Sequence, residues 1–418
     1  MRRFFAPGET GWLLGICLSR VGTYMIYISY AGALPVLQRE WAMSSTAAGT
    51  ISGSFQIAYA LSLTGCSELA DRIGARRVFL TSNLASFVGA ALFALLARDY
   101  WSGLVLYTFL ALTLGGSYTT GIILVAEHTP VARRGRAMGL FLAGHSLGLA
   151  LALVLTGVAL PIGGYRLAFI VIALGPTLGG AMACAALWKT PNRVTPRDRG
   201  QGMLGPVLRN RPALLTIAGY TFHSYELLGM WAWTPTFLAA CFVALGSELT
   251  AAAGLGAYLT SSLHLTGMFS SLVAGTLSDR WGRTPVIFAM ASLSALCSFV
   301  FGWLVGAPIT LVLVVGLLYA FTALGDSPIY STAITEVVQP AYRGAALGLR
   351  SLVGYGSGAV APLMFGAILD WRGGTAAGTS AWGWAFGSLG IAGVFAAASA
   401  VLLHRLTEAR ALTRGSRE

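Results

Sequence analysis

Gly275-Thr276-Leu277-Ser278-Asp279-Arg280-Trp281-Gly282-Arg283 closes one long apolar stretch, and Ser67-Glu68-Leu69-Ala70-Asp71-Arg72-Ile73-Gly74 closes another. Asp71 and Asp279 stand 208 positions apart. Within one residue the same interval relates Arg134-Gly135 and Gly139 to Arg343-Gly344 and Gly348, and Glu127 to Glu336. Self-similarity at a fixed interval is the mark of one structural unit used twice, so the chain reads as two copies of one half.

Composition says what each half is made of. Only 10% of the 418 residues are charged, 56% are hydrophobic and 53 are glycine, against about a quarter charged in a soluble domain. Many apolar runs exceed the roughly 20 residues that cross a bilayer. The chain therefore reads as a polytopic all-α membrane protein with spans α1 to α12 at 11–37, 44–70, 78–97, 103–127, 136–160, 166–188, 213–241, 249–277, 285–305, 308–336, 344–369 and 381–404. The one long polar connection, 189–212, holds four prolines and six basic residues. It is expected to be a cytoplasmic linker between an N-terminal six-helix bundle, 1–188, and a C-terminal one, 213–418, that ends in a short cytoplasmic tail. Six helices per half give both halves the same orientation, the arrangement of parallel repeats.

The net charge of +12 does not point to nucleic acid, because its distribution follows the membrane. All basic residues but Lys189 are arginines, and they gather in alternate short loops: Arg72, Arg76 and Arg77; Arg133, Arg134 and Arg136; Arg193 to Arg211; Arg280 and Arg283; Arg343. That is the positive-inside pattern. With Arg2 and Arg3 at one end and Arg405, Arg410, Arg414 and Arg417 at the other, both termini are expected in the cytoplasm, and the membrane is expected to be a plasma membrane, the bacterial inner one. The first apolar run is long and carries Arg20, unlike the short uncharged core of a signal peptide. Cys17, Cys66, Cys184, Cys241 and Cys297 are dispersed and read as small buried apolar residues.

The paired loops resemble the signature of the major facilitator superfamily, and the resemblance extends over the whole chain. Gly275, Asp279, Arg280, Gly282 and Arg283 meet the signature in full; the first copy has Ser67 for the leading glycine and Ala75 before Arg76 and Arg77. The resemblance implies two rocking bundles, secondary active transport by alternating access, and a central cavity lined by α1, α4, α7 and α10. It also implies a conformational latch at Asp71, Arg72, Arg76 and Arg77 and at Gly275, Asp279, Arg280, Gly282 and Arg283. Efflux members of the superfamily often carry Gly-Pro in α5, whereas Gly144 to Gly157 contains no proline. Small-residue spacings at Gly49/Gly53, Gly135/Gly139, Gly144/Gly148, Gly344/Gly348 and Gly354/Gly358 are expected to be helix-packing seams.

Ionisable residues inside an apolar span are costly, by roughly 2.5–3.5 kcal/mol at its centre, and are functional candidates by default. At 1.5 Å per residue, Arg20 lies about 14 Å from the cytoplasmic end of its helix, Glu226 about 20 Å and Asp326 about 15 Å, all near the midplane. Arg350 lies about 10 Å in, shallow enough to snorkel outward. Helical spacing groups Arg20 with Tyr24 and Tyr27 on α1, His223 with Glu226, Met230 and Trp233 on α7, and Tyr319 with Thr322, Asp326 and Tyr330 on α10. Tyr118 on α4 joins them. Aromatic stripes alone more often serve packing, but three of these carry a charge. Gln56 on α2 and His264 on α8 hold matching places in the two copies, where an interhelical hydrogen bond competes with solute contact.

The reading is a proton-coupled symporter of a small organic anion. Arg20, Tyr24, Tyr27, Gln56, Tyr118, His264, Tyr319, Asp326, Tyr330 and Arg350 are the candidate solute contacts. Arg20 carries the anion argument, because a guanidinium stays charged and its fork suits a carboxylate. Glu226, with His223 beside it and Asp326 as the alternative, is the candidate proton carrier, and Asp326 is expected to stay charged against an arginine. Efflux of amphipathic drugs and a transporter-fold receptor are the rival readings. No phosphate loop, metal-ligand pair or nucleophile turn appears in the sequence. No enzymatic activity, cofactor or metal is expected; the partners are the solute, protons and lipid, and the chain is expected to be a monomer.

Overall fold

The structure is a computed structural model that describes residues 7–194, 204–339, 342–407 and 412, and among these all regular structure is helical. Arg2, Arg3, Arg410, Arg414, Arg417 and the middle of the linker lie outside the described residues. α1 is Thr10–Glu40, α2 Ser45–Ile73, α3 Ala75–Leu96 and α4 Tyr100–His128. α5 and α6 share the stretch Val131–Leu187 and part at Gly163 and Gly164, the latter at a φ of +64° that favours glycine. α7 is Arg211–Ala244, α8 Leu249–Trp281, α9 Arg283–Leu304, α10 Ile309–Val337, α11 Arg343–Trp371 and α12 Thr379–Arg405. Length and composition qualify all of these except α2 and α8 as candidate membrane spans. Those two are long enough, but serines and threonines run along them with Gln56 or His264, a polar stripe that neighbouring helices have to cover.

The chain divides into two compact units, one of 7–43, 54–194 and 248–261, the other of 44–53, 204–247 and 262–412. In unit 1, α1 presents two stripes a residue apart. Ser19 and Thr23 both donate to Oδ1 of Asn83 on α3, at 3.1 and 2.6 Å, while Arg20 and Tyr24 turn toward α4 and α5. Gly22 meets Gly175 and Gly179 of α6 so closely that a Cβ on Gly22 would lie 2.5 Å from a carbonyl oxygen. In unit 2 the core is aromatic: Phe237 and Phe301 lie 4.5 Å apart between ring centres, and Phe365 and Phe386 5.0 Å.

Two helices break where the candidate site residues lie. α1 tightens into a 3-10 turn at Met25–Ile28, and the Tyr107 hydroxyl of α4 donates to the Tyr27 carbonyl at 2.6 Å, binding an acceptor at the break. α10 is interrupted at Asp326, between Ile309–Gly325 and Ser327–Val337. Pro328 accounts for the interruption, since it has no N–H and its ring crowds the preceding turn.

The glycine seams divide. Gly148 lies against the Val21 carbonyl, and Gly354 and Gly358 against Tyr220 and Leu228. Gly135, Gly139 and Gly348 instead face open space; they are exposed near the starts of α5 and α11, so spacing alone made seams where no helix approaches. The Gly49/Gly53 seam has a partner that the spacing could not name. In unit 2 the first turns of α2 lie on α11, where a Cβ on Gly49 would come 2.2 Å from the Pro362 oxygen.

That contact is closed by a cap. Asp370 accepts from the Ser45 amide at 2.8 Å, the Thr46 amide at 2.7 Å and the Thr46 hydroxyl at 2.6 Å, satisfying two of the free N–H groups that begin α2 and placing negative charge at the positive end of the helix. Asp370→Ala should destabilise the purified protein by about 1–2 kcal/mol and Asp370→Asn by less, read as a fall in Tm. An unchanged Tm in the alanine variant would show that the cap contributes nothing.

Candidate functional site

Arg20 is 4% exposed, and it is held by rings. Its guanidinium carbon lies 4.6 Å from the ring centre of Tyr24, 5.0 Å from that of Tyr118 and 4.5 Å from that of Phe141. Each ring face attracts the cation by about 0.5–2 kcal/mol. Ring faces do not accept the N–H groups at the guanidinium edge, however, and the buried Nε and Nη1 have no hydrogen-bond partner among the described residues. A buried donor without an acceptor costs about 1–3 kcal/mol, more when charged. The arrangement stabilises the charge while leaving it able to bind an oxyanion.

Around this centre the polar groups bond to one another. Tyr24 and Tyr59 share a hydroxyl contact of 2.9 Å, and Tyr27 donates to Gln56 Oε1 at 2.8 Å. His145 stands edge-on to Tyr24 with ring centres 4.7 Å apart. Gln56 is therefore engaged within the bundle, and His264, its counterpart in the repeat, lies in unit 2 against Trp231 at 4.9 Å.

Unit 2 separates the two residues that helical spacing had joined. His223 turns to α10, its Nδ1 2.9 Å from Oδ1 of Asp326. Glu226 turns to α9 and α12, accepting from Ser294 Oγ at 2.8 Å and lying so close to Gly393 that a Cβ there would meet its Oε2 at 2.7 Å, and it is also hydrogen-bonded to Tyr319 of α10. No hydrogen bond or ion pair joins His223 to Glu226. Three residues on an α-helix turn 60° short of a full circle, enough to send these side chains to different neighbours. Asp326, expected against an arginine, has a histidine. Tyr319 meets Ser298 at 2.9 Å, while the buried Tyr330 hydroxyl has no partner among the described residues. Arg350 does not snorkel outward: it is buried, stacked on Tyr220 with its guanidinium carbon 4.2 Å from the ring centre, and its Nη1 donates to Ser331.

The loop signatures have a local explanation. Gly74 and Gly282 end α2 and α8 at φ of +93° and +94°, which a side chain resists. After Gly74, Arg76 Nε donates to the Leu187 carbonyl at 2.9 Å. After Gly282, Arg283 joins Asp279 at the end of α8 to Glu336 at the end of α10, the latter at 2.9 Å. Asp71, Arg72, Arg77, Gly275 and Arg280 lie in these same loops and helix ends.

Phe141, Ser294 and Asp370 are the residues of this arrangement that sequence reading missed. Phe141 is one apolar residue among many. Ser294 carries no charge, and Asp370 sits at a span edge where acids are ordinary. The repeat offset was the one available signal: it pairs Ser294 with Ser86 and marks neither Phe141 nor Asp370.

A bundle of apolar helices with buried charges in both units defines a membrane transport protein. Residues 13–257 and 236–418 match the Major Facilitator Superfamily, and the chain belongs to that family: it is a multi-pass membrane transporter and not an enzyme. A probable 4-methylmuconolactone transporter of Cupriavidus pinatubonensis is 26% identical over 339 residues, 78% of this chain and 76% of that one. The gentisate transporter of Corynebacterium glutamicum is 24% identical over 357 residues, 82% of this chain and 78% of that one. A crystal structure of a point mutant of the nucleoside transporter NupG shares the fold at a TM-score of 0.76 and 12% identity, over 94% of this chain and 100% of that one.

The ring contacts of Arg20 can be tested without a solute. Phe141→Leu keeps most of the apolar volume but removes one ring, so it should lower stability by about 1–2 kcal/mol, measured as a fall in Tm. In an Arg20→Met background the same change should cost clearly less. Equal costs in both backgrounds would show that the ring acts by packing alone.

Proposed function

We propose that the chain is a secondary active transporter that carries a small organic anion with protons by alternating access. Arg20 carries the reading: a permanently charged guanidinium among aromatic faces, with two edge nitrogens unengaged, suits a carboxylate on a planar or unsaturated body. Gentisate, for which one relative is named, has that form, an aromatic ring bearing a carboxylate. Glu226 and Asp326 are the candidate proton-bearing groups, because a carboxylate inside a bilayer can lower its cost by taking up a proton. The arginine-rich loops would face the cytoplasm of a bacterium, with the Asp71 and Asp279 loops biasing conformational exchange rather than touching solute.

Proteoliposomes test both halves of the proposal with labelled gentisate. The wild-type protein should show counterflow, and a proton gradient should drive accumulation. Arg20→Gln should lose at least about tenfold in counterflow, the worth of one good charged contact, and Arg20→Lys should recover little of it. Fixing the proton-bearing carboxylate in neutral form, by Glu226→Gln or Asp326→Asn, should abolish accumulation but spare counterflow, which needs no net proton turnover. Wild-type counterflow in Arg20→Gln would overturn the anion reading, and accumulation in both carboxylate variants would overturn the proton reading.

A further inference from the structure

Unit 2 contains a second group of buried polar atoms without partners, apart from the Arg20 centre. Arg350 Nε, the Tyr330 hydroxyl and His223 Nε2 each lack a hydrogen-bond partner among the described residues, and their residues are 8%, 1% and 3% exposed. They gather around one ring. The Arg350 guanidinium carbon is 4.2 Å from the centre of Tyr220, whose ring centre is 5.6 Å from that of His223 and 6.0 Å from that of Tyr330. His223 and Tyr330 are 5.7 Å apart by the same measure. Two glycines fix the group. A Cβ on Gly219 would lie 2.8 Å from the Tyr330 ring, and one on Gly354 would lie 2.5 Å from the Tyr220 ring, so both tyrosines stand where only hydrogen fits.

We propose that this cluster is a proton-linked oxyanion subsite, in which Arg350, Tyr330 and His223 bind a carboxylate and the His223–Asp326 pair takes up a proton as it binds. The proposal rests on the organic-anion reading above and adds a second place of contact. Charge carries the argument. With neutral His223, the trio of Arg350, Asp326 and His223 sums to zero, and in the tautomer whose proton is on Nδ1, the nitrogen beside Asp326, Nε2 is a hydrogen-bond acceptor that repels an oxyanion. Adding one proton to His223 brings the trio to +1 and turns Nε2 into a donor. Proton and anion then each tighten the binding of the other by the same factor.

The charged and titratable surroundings are few. Tyr220 and Glu226 share α7 with His223, and Glu226 is near enough to Asp326 for their charges to interact. α10 contributes Tyr319 and Tyr330, α11 contributes Arg350, and α9 contributes Cys297, which is near enough to Glu226 to feel its charge. Between Thr379 and Leu403, α12 has no titratable residue. Glu226 is engaged by Ser294 and Tyr319, whereas His223 is the group whose Nε2 changes from acceptor to donor on protonation, so the proton that answers to the anion is assigned to the histidine pair.

The test is equilibrium binding of gentisate to the detergent-purified full chain between about pH 5 and about pH 8, the range in which histidine changes charge. The gentisate carboxylate stays ionised throughout, so any slope belongs to the protein. Wild-type affinity should tighten as pH falls, by up to about tenfold per unit for one linked proton, with about one proton taken up per anion bound in weakly buffered solution. His223→Gln and Asp326→Asn should both flatten the slope and abolish proton uptake. Arg350→Gln should weaken binding at least about tenfold. Tyr330→Phe, which removes only a hydroxyl, should weaken it by a smaller factor and replaces Arg350→Gln as the test if that variant does not fold. Wild-type affinity and slope in Arg350→Gln or Tyr330→Phe, together with lost binding in Arg20→Gln, would overturn the subsite and leave the anion reading standing. A slope that vanishes in Glu226→Gln and persists in Asp326→Asn would overturn the proton assignment. No gentisate binding by the wild type, with counterflow of another carboxylate intact, would overturn the subsite for this solute. No carboxylate bound or moved at all would end the anion reading itself.

Discussion

A guanidinium that cannot shed its proton, buried with no carboxylate hydrogen-bonded to it among the described residues, is the constraint on which the first unit depends. Lipid would charge such a group several kcal/mol, and three aromatic faces around Arg20 offset part of that cost. The surrounding structure follows from keeping them there. Ser19 and Thr23 anchor the adjacent stripe of α1 to Asn83, which turns Arg20 and Tyr24 toward Tyr118 and Phe141. Gly121 leaves room for the Phe141 ring, since a Cβ there would meet it at 2.2 Å. Gly22, Gly144 and Gly148 let α1 approach α5 and α6 closely enough to exclude lipid from the group.

The second unit handles its charges differently. Its buried acids have polar partners, a histidine for Asp326 and a serine for Glu226, and Arg350 is matched to a ring and a hydroxyl. Removing Glu226 would leave the buried Ser294 hydroxyl without its acceptor. The first unit thus buries an arginine among rings alone, while the second buries its arginine together with two acids and a histidine.

Much of the fold was open to reading because the membrane enforces a simple code. Twelve apolar runs, arginines in alternate loops and the Asp-Arg-x-Gly pair at a fixed interval suffice for helix number and family. That Arg20, Glu226 and Asp326 are buried was open to reading as well, since a charge inside an apolar run has to be covered by neighbouring helices. Partners could not. Periodicity assigns a residue to a face about 100° wide, and His223 and Glu226 share one yet meet different residues, Asp326 for the first and Ser294 and Tyr319 for the second. Gly49 and Gly53 showed that a helix approaches, but the Pro362 oxygen and the Asp370 cap come from the far end of the sequence. Phe141 looked like any other apolar residue until Arg20 was seen against it.

Whether Arg20 holds the anion is read most plainly from a structure of the protein with gentisate bound. A carboxylate oxygen should lie within about 3 Å of Arg20 Nε or Nη1, the distance of a charge-assisted hydrogen bond, with the ring of Phe141 still against the guanidinium. A carboxylate bound elsewhere, with those two nitrogens still unpartnered, would contradict it.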